Sequence, residues 1–210
     1  PMTCILIIFM VIQIIVPELL FTGAAATIVI MGMFIIYENP VEQYKEKAYM
    51  DLDTGVKNRN CFDVDFLKYK NRFQMLGYTS GSIGIVLCDL NNLKATNDTC
   101  GHAVGDRFIQ VVAQILKQEL KNSKEIYRVG GDEFVAIYMN INEDIIREEI
   151  EAVYNRCRQE NDNHEFLLSI AIGYSVTSDT DDLDTAYTKA DADMYRNKQV
   201  IKSRQKEYQK

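Results

Sequence analysis

Tyr127-Arg128-Val129-Gly130-Gly131-Asp132-Glu133-Phe134 is the stretch from which the rest of the chain can be read. Two glycines are followed at once by two carboxylates. β-forming apolar runs flank them, Ile126 to Val129 on one side and Phe134 to Met139 on the other. Such a pattern predicts a hairpin with a glycine turn. Glycines at the tip let backbone come close to an anion, and adjacent acids can bring a hard cation to that anion. The combination points to nucleotide chemistry.

Upstream, Ser82 to Leu90 reads as a buried strand carrying Asp89 near its end, where a loop begins. A carboxylate there can hold a hard cation, with a neighbouring backbone carbonyl as a second oxygen ligand. Asp132 and Glu133 complete such a site only if the fold sets the hairpin beside the end of that strand. Taken singly, each acid is an ordinary solvated loop residue. Asn91 to Gly101 reads as a polar loop leading into a helix at about 103–121. In this region Asn97 can donate and accept, and Asp106 can accept two donors, which matches a guanine edge. Turn and cap chemistry uses the same residues, so both readings stand at this point.

The remaining elements follow in order. A turn-rich lead from Asp51 to Arg59 opens an amphipathic helix at 60–76, and a charged amphipathic helix covers 142–160. A strand covers Phe166 to Val176, and a last helix runs from Leu183 to beyond Lys198. Strands alternating with helices, plus one hairpin, predict an α/β (α+β) sandwich with a mixed or mostly antiparallel sheet flanked by helices.

At 210 residues there is room for one good-sized domain and something extra. Net charge is −7, which argues against general nucleic-acid binding through phosphate neutralisation. An anionic substrate then needs a local cluster of lysines. Five cysteines (Cys4, Cys61, Cys88, Cys100, Cys157) are widely spaced, with no CxxC pair. They predict reduced, mostly buried thiols rather than a disulfide framework or a structural zinc site.

Apolar residues crowd the N-terminal side, where Glu18 is the single charge among the first 37 residues. We expect 1–37 to be membrane-embedded: the end of one span, a turn at Pro17-Glu18, and a last span over 19–37. A single kinked helix or a buried soluble hairpin are the alternatives. A cleaved signal peptide is disfavoured, since neither a basic leader nor a small-residue cleavage site is clear. Gly23 and Thr27, four apart, could line a helix contact. Asn39-Pro40-Val41-Glu42 restarts a helix with good cap chemistry, making 38–50 a linker that leads into a domain over 51–210. Lys45 and Lys47 bias this linker to the cytoplasmic side. The expected location is the cell (inner) membrane, with the domain in the cytoplasm.

Taken together, residues 51–202 resemble the GGDEF domain of diguanylate cyclases, which condense two GTP into cyclic di-GMP. The motifs that carry the resemblance are Asp51…Thr54-Gly55…Asn58-Arg59 and Asp89-Leu90-Asn91…Lys94…Asn97-Asp98…Gly101-His102…Gly105-Asp106. Arg128 to Phe134, Ser169 to Gly173, and Ala190-Asp191…Tyr195…Lys198 complete them. The resemblance implies a nucleotidyl-cyclase-like, mostly antiparallel sheet. It implies Mg²⁺, with Mn²⁺ as the alternative, bound by Asp89 and Glu133 and by the Leu90 carbonyl. It gives Asp132 a part in metal placement or ribose 3′-hydroxyl deprotonation, and lets Gly130 and Gly131 admit the triphosphate. Asn97 and Asp106 would read guanine. Lys94 and Lys198 would meet phosphates, with the backbone at Leu93, and with His102 and Lys202 among the GTP-binding positions. A head-to-head homodimer is implied, since each domain holds one GTP. The alternative from a different class is a degenerate module that binds GTP or a partner without turnover.

Several positions depart from the family pattern. Asp53 replaces a usual Leu, which is expected to tune the linker and little else. Asn91 and Leu93 stand where Asp and Phe are common. Ile201 and Lys202 stand where Gly and Arg are expected, and an ammonium cannot supply a bidentate fork. Lys121-Asn122-Ser123-Lys124 occupies the place of the family's Arg-x-x-Asp product-inhibition site, so feedback inhibition there is expected to be lost.

Overall fold

The computed structural model describes residues 23, 26–34, 44, 47–76, 81–161, 168–177 and 182–208. The chain divides into two compact units, Pro1–Lys47 and Ala48–Lys210.

In the first unit, Gly23 and 26–34 are helical, and Ile28, Val29, Ile30, Met31, Met33 and Phe34 are all exposed. The Thr27 hydroxyl donates to the Gly23 carbonyl one turn back at 2.8 Å, so it satisfies its own helix. Among the described residues no helix is long and apolar enough to cross a membrane. Residues 1–22, 24–25 and 35–37, which include the expected first span and the turn at 17–18, lie outside the described residues, as does most of the 38–50 linker.

The second unit runs β1 (Lys57–Asn58), α1 (Arg59–Leu76), β2 (Ile83–Leu90), α2 (Leu93–Cys100), α3 (His102–Glu119), β3 (Glu125–Arg128), β4 (Glu133–Met139), α4 (Glu143–Asn161), β5 (Ile170–Val176) and α5 (Leu183–Tyr208). One five-stranded sheet has the order β1-β3-β4-β2-β5. Only β1 against β3 is parallel; β3–β4, β4–β2 and β2–β5 are antiparallel. The expected mixed, mostly antiparallel sheet is what forms.

All eight residues of β2 are buried, because helices cover both faces of the sheet. Alternation along the strands divides the core in two. Val86, Cys88, Leu90, Phe134, Ala136 and Tyr138 pack with Phe108, Val112 and Leu116 of α3 and Ile146, Ile150 and Val153 of α4. Ile83, Ile85, Leu87, Val135 and Ile137 pack with Phe62 of α1 and Leu183, Ala186 and Ala190 of α5. At Gly173 the helix α5 lies so close that a Cβ would stand 2.0 Å from the Met194 backbone nitrogen.

Two expectations are corrected. The segment read as a polar loop, 91–101, is mostly the two-turn helix α2, entered through Asn92 at φ 63°. It has no buried residue, so the apolar periodicity that announces a helix is missing from its sequence. The turn-rich lead also contains β1; two residues are too few to show alternation, and Tyr127 and Arg128 recruit them as a parallel edge strand. Of the described cysteines, Cys61, Cys88 and Cys157 are buried and Cys100 is exposed, all unpaired.

Candidate active site

The hairpin does stand beside the end of β2. In the antiparallel register of β2 and β4, Asp89 lies directly opposite Glu133, and the Leu90 N–H donates to the Asp132 carbonyl at 3.0 Å. Val129 and Gly130 both donate to the Glu133 carbonyl, at 2.9 and 3.4 Å, which closes the tip around Gly130, Gly131 and Asp132. A Cβ on Gly130 would stand 2.7 Å from Glu133 Oε2, so this glycine leaves the space in which the carboxylate rests. Asp89 is buried at 6% exposure, whereas Glu133 is exposed and Asp132 half-buried.

Lys198 of α5 reaches across to Asp89, with Nζ 2.5 Å from Oδ1. Sequence reasoning gave this lysine to phosphates alone; the structure sets it against the buried carboxylate. Lys202, one turn further on, is exposed, as are Lys94 and His102. Among the described residues no hydrogen bond or ion pair ties these three to the Asp89–Glu133 pair.

A second group forms where α2 turns into α3. Gly101, at φ 87°, links them, its N–H donating to the Asn97 carbonyl at 2.9 Å. The Asn97 amide then fits against Gly105, where a Cβ would fall 1.8 Å from Oδ1. That brings Asn97 beside the backbone that carries the exposed Asp106. Asn97 Oδ1 is buried without a hydrogen-bond partner, an unmet acceptor at the position expected to read guanine. Leu93, half-buried, anchors the start of α2 on the core.

Two supports escaped sequence reasoning. Arg128 binds Asp51 through Nη1, 3.2 Å from each carboxylate oxygen, and donates through Nη2 to the Gly131 carbonyl at 2.9 Å. It thus holds the hairpin tip to the entrance of the unit. Asp51 also receives the Thr54 N–H and hydroxyl at 3.0 and 2.6 Å. Burial pushes the Asp51 carboxyl up, but Thr54 and Arg128 outweigh it and hold it below its ordinary value. The largely exposed Asp53 carboxylate lies 3.7 Å from the same guanidinium, a weak surface pair. The other support is Asn91, buried, which donates its side-chain amide to Ser169 Oγ at 3.1 Å and its backbone N–H to the Ser169 carbonyl at 2.8 Å. It ties the end of β2 to the approach of β5. Both sets were visible as motif residues, but their pairings span 77 and 78 positions and carry no local signal.

Among the described residues, no group of three or more His, Cys, Asp or Glu side chains stands close enough to hold a metal. The donor set on offer is the cross-strand pair Asp89 and Glu133, with backbone carbonyls nearby. All are hard oxygens, which suits Mg²⁺ or Mn²⁺ and not a zinc site.

Residues 48–204 match the family described as diguanylate cyclase, GGDEF domain. The chain is 30% identical over 160 residues to the diguanylate cyclase DgcS of Shewanella oneidensis, covering 74% of this chain and 52% of that protein. It is 31% identical over 184 residues to the diguanylate cyclase DgcP of Escherichia coli, covering 80% and 52%. The chain thus spans about half the length of these curated relatives. The fold resembles that of the solved structure of the coiled coil and GGDEF domain of DgcB from Caulobacter crescentus in complex with c-di-GMP. There the TM-score is 0.71 at 20% identity, over 81% of this chain and 91% of that one. A microbial GGDEF domain solved with bis-(3′,5′)-cyclic di-GMP gives a TM-score of 0.61 at 25% identity, over 75% and 94%. With the family match running from the entrance strand through most of α5, and the hairpin acids set in register with Asp89, this chain belongs to the GGDEF family of diguanylate cyclase domains.

Proposed function

We propose that this chain is an active diguanylate cyclase, converting two GTP into cyclic di-GMP and two pyrophosphates as a homodimer. The observation that carries it is the register of Asp89 opposite Glu133 beneath an intact glycine tip. In each half-reaction the 3′-oxygen of one GTP forms a bond to the α-phosphorus of the other. The bond from that phosphorus to the pyrophosphate oxygen breaks, and the 3′-hydroxyl proton leaves to Asp132 or to water it orients. Asp89 and Glu133 would hold the divalent cation, which when bound neutralises the triphosphate and polarises the α-phosphate. Asn97 and Asp106 orient guanine. Gly130 and Gly131 allow backbone to lie along the phosphates, with Lys94, Lys202 and His102 as outer contacts and Leu93 carrying backbone amides.

The apolar residues exposed on the helix at 26–34 support a membrane tether; the proposed cytoplasmic side for the catalytic unit rests on Lys45 and Lys47. Recovery of the full chain in the soluble fraction without detergent would refute the tether.

The test of activity is incubation of the purified 210-residue chain with GTP and Mg²⁺, with chromatography of the products. Cyclic di-GMP is expected, with product lost in Asp132→Ala while the fold remains intact. GTP binding without product would instead favour a nucleotide-binding module that does not turn over. Feedback inhibition through 121–124 is not expected: Lys121 and Lys124 are exposed, and Asn122 donates twice to the buried Glu149, at 2.9 and 2.7 Å. Low-micromolar inhibition by cyclic di-GMP that disappears in Lys121→Ala would overturn this.

A further inference from the structure

Asp89 and Glu133 face each other across two strands, an arrangement in which like charges repel. Asp89 is the buried member, and a buried carboxylate needs a partner. Lys198 supplies it from α5 at 2.5 Å, with side-chain exposure of 24% for the lysine and 8% for the aspartate. An ammonium has three donors and no acceptor, on a flexible four-carbon stem, so it can leave one anion for another without a change of fold. A divalent cation and this ammonium compete for the one buried carboxylate, since two positive charges held at contact distance in a partly desolvated site repel. The metal therefore binds Asp89 best when the lysine has moved to another anion.

We propose that Lys198 is a built-in counterion of Asp89 that is exchanged for the divalent cation when a nucleoside triphosphate binds. The phosphate oxygens take the ammonium, and the freed carboxylate takes the metal. The inference rests on the GTP and divalent-cation reading above and adds to it an order of events. The metal alone binds weakly, since it must break a partly buried ion pair with nothing to receive the lysine. Nucleotide and metal therefore bind with positive coupling, each raising the affinity of the other by the same factor. Lys198 acts here as a positioning residue, setting when Asp89 becomes available.

The experiment measures Mn²⁺ affinity of the purified chain from the electron paramagnetic resonance signal of the free ion, with and without 3′-deoxy-GTP, which lacks the attacking oxygen. Without nucleotide, Lys198→Met should tighten Mn²⁺ binding by about fivefold or more, the lower end of ordinary site-to-site coupling. The enhancement of Mn²⁺ binding by 3′-deoxy-GTP should shrink by a similar factor. Lys198→Gln serves as a second variant, with circular dichroism as the check on folding. Unchanged or weaker nucleotide-free Mn²⁺ binding in both variants, while Asp89→Asn still weakens it, would overturn the exchange and leave the metal site standing. Asp89→Asn without effect on Mn²⁺ binding would instead overturn the metal site, and the exchange with it.

Discussion

A methyl group at Gly130 would stand 2.7 Å from Glu133 Oε2 and 3.3 Å from its Cβ. The obstacle is mainly the far end of a flexible side chain, so Gly130→Ala should leave the fold intact and move only the carboxylate. With Glu133 in its proposed metal-holding role, displacement of that oxygen by about an ångström is enough to cost roughly 10²-fold in kcat. Melting temperature within a few degrees of the parent, with kcat down by that order, is the expected result. Gly105→Ala acts on the other half of the site. Its Cβ would fall 1.8 Å from Asn97 Oδ1, so the amide must turn away from its place beside Asp106. We expect KM for GTP to rise by about tenfold or more while kcat changes little, as for loss of a contact made equally in ground and transition states. Steady-state kinetics across both variants checks the split.

At the scale of elements, the guanidinium of Arg128 joins three pieces of chain: Asp51 before β1, its own position at the end of β3, and Gly131 at the hairpin tip. A lysine cannot make these contacts together, because it has no fork. Arg128→Lys should therefore lower activity nearly as far as Arg128→Ala, about tenfold. Arg128→Ala should also destabilise the unit by about 1–3 kcal/mol, since it leaves Asp51 without its charged partner. Activity in Arg128→Lys equal to the parent would show that the clamp is dispensable. Docking of α5 onto β5 is tested at Gly173, where a Cβ would meet backbone atoms of Met194 and Ala190 at 2.0 and 2.4 Å. Gly173→Ala has no flexible group to push aside, so a loss of about 3 kcal/mol in urea unfolding is expected. Legibility varied across the same elements. β2 and β4 announced themselves as short apolar runs bounded by turns, and α3 and α4 through apolar periodicity. α2 did not, because it buries no residue, and β1 did not, because it is two residues long.

At the scale of the molecule, acid stability draws on two carboxyls among the described residues that the fold holds below their ordinary value of 3.8. Asp51 is one; Asp65 is the other, raised by burial but lowered further by the Tyr127 hydroxyl at 2.9 Å and by Lys57. Both are depressed in the folded state, so the unfolded chain takes up their protons first. Their contribution is complete above 3.8 and is lost as pH falls from there through the lower folded values. Unfolding free energy should therefore drop between about pH 5 and pH 2, and the drop should be smaller in Asp65→Asn. A parallel pH profile in the variant would count against this source. On the proposed reaction between two domains each holding one GTP, activity should also rise more steeply than in proportion to chain concentration until dimerisation is complete.

From local chemistry alone, this chain determined strands β2 to β5 and its main helices, a glycine tip with two acids, and a polar segment able to contact guanine, because apolar patterning and turn chemistry act over a few residues. Tertiary structure alone decided that Asp89 and Glu133 share a register, that Asn97 lies against Gly105, and that Arg128 holds Asp51 to the hairpin. It also brought Lys198 onto Asp89 from 109 positions away. Such pairings depend on which strand lies beside which and on how closely a helix docks. Those are consequences of burying both faces of one sheet, and no short window of sequence contains them.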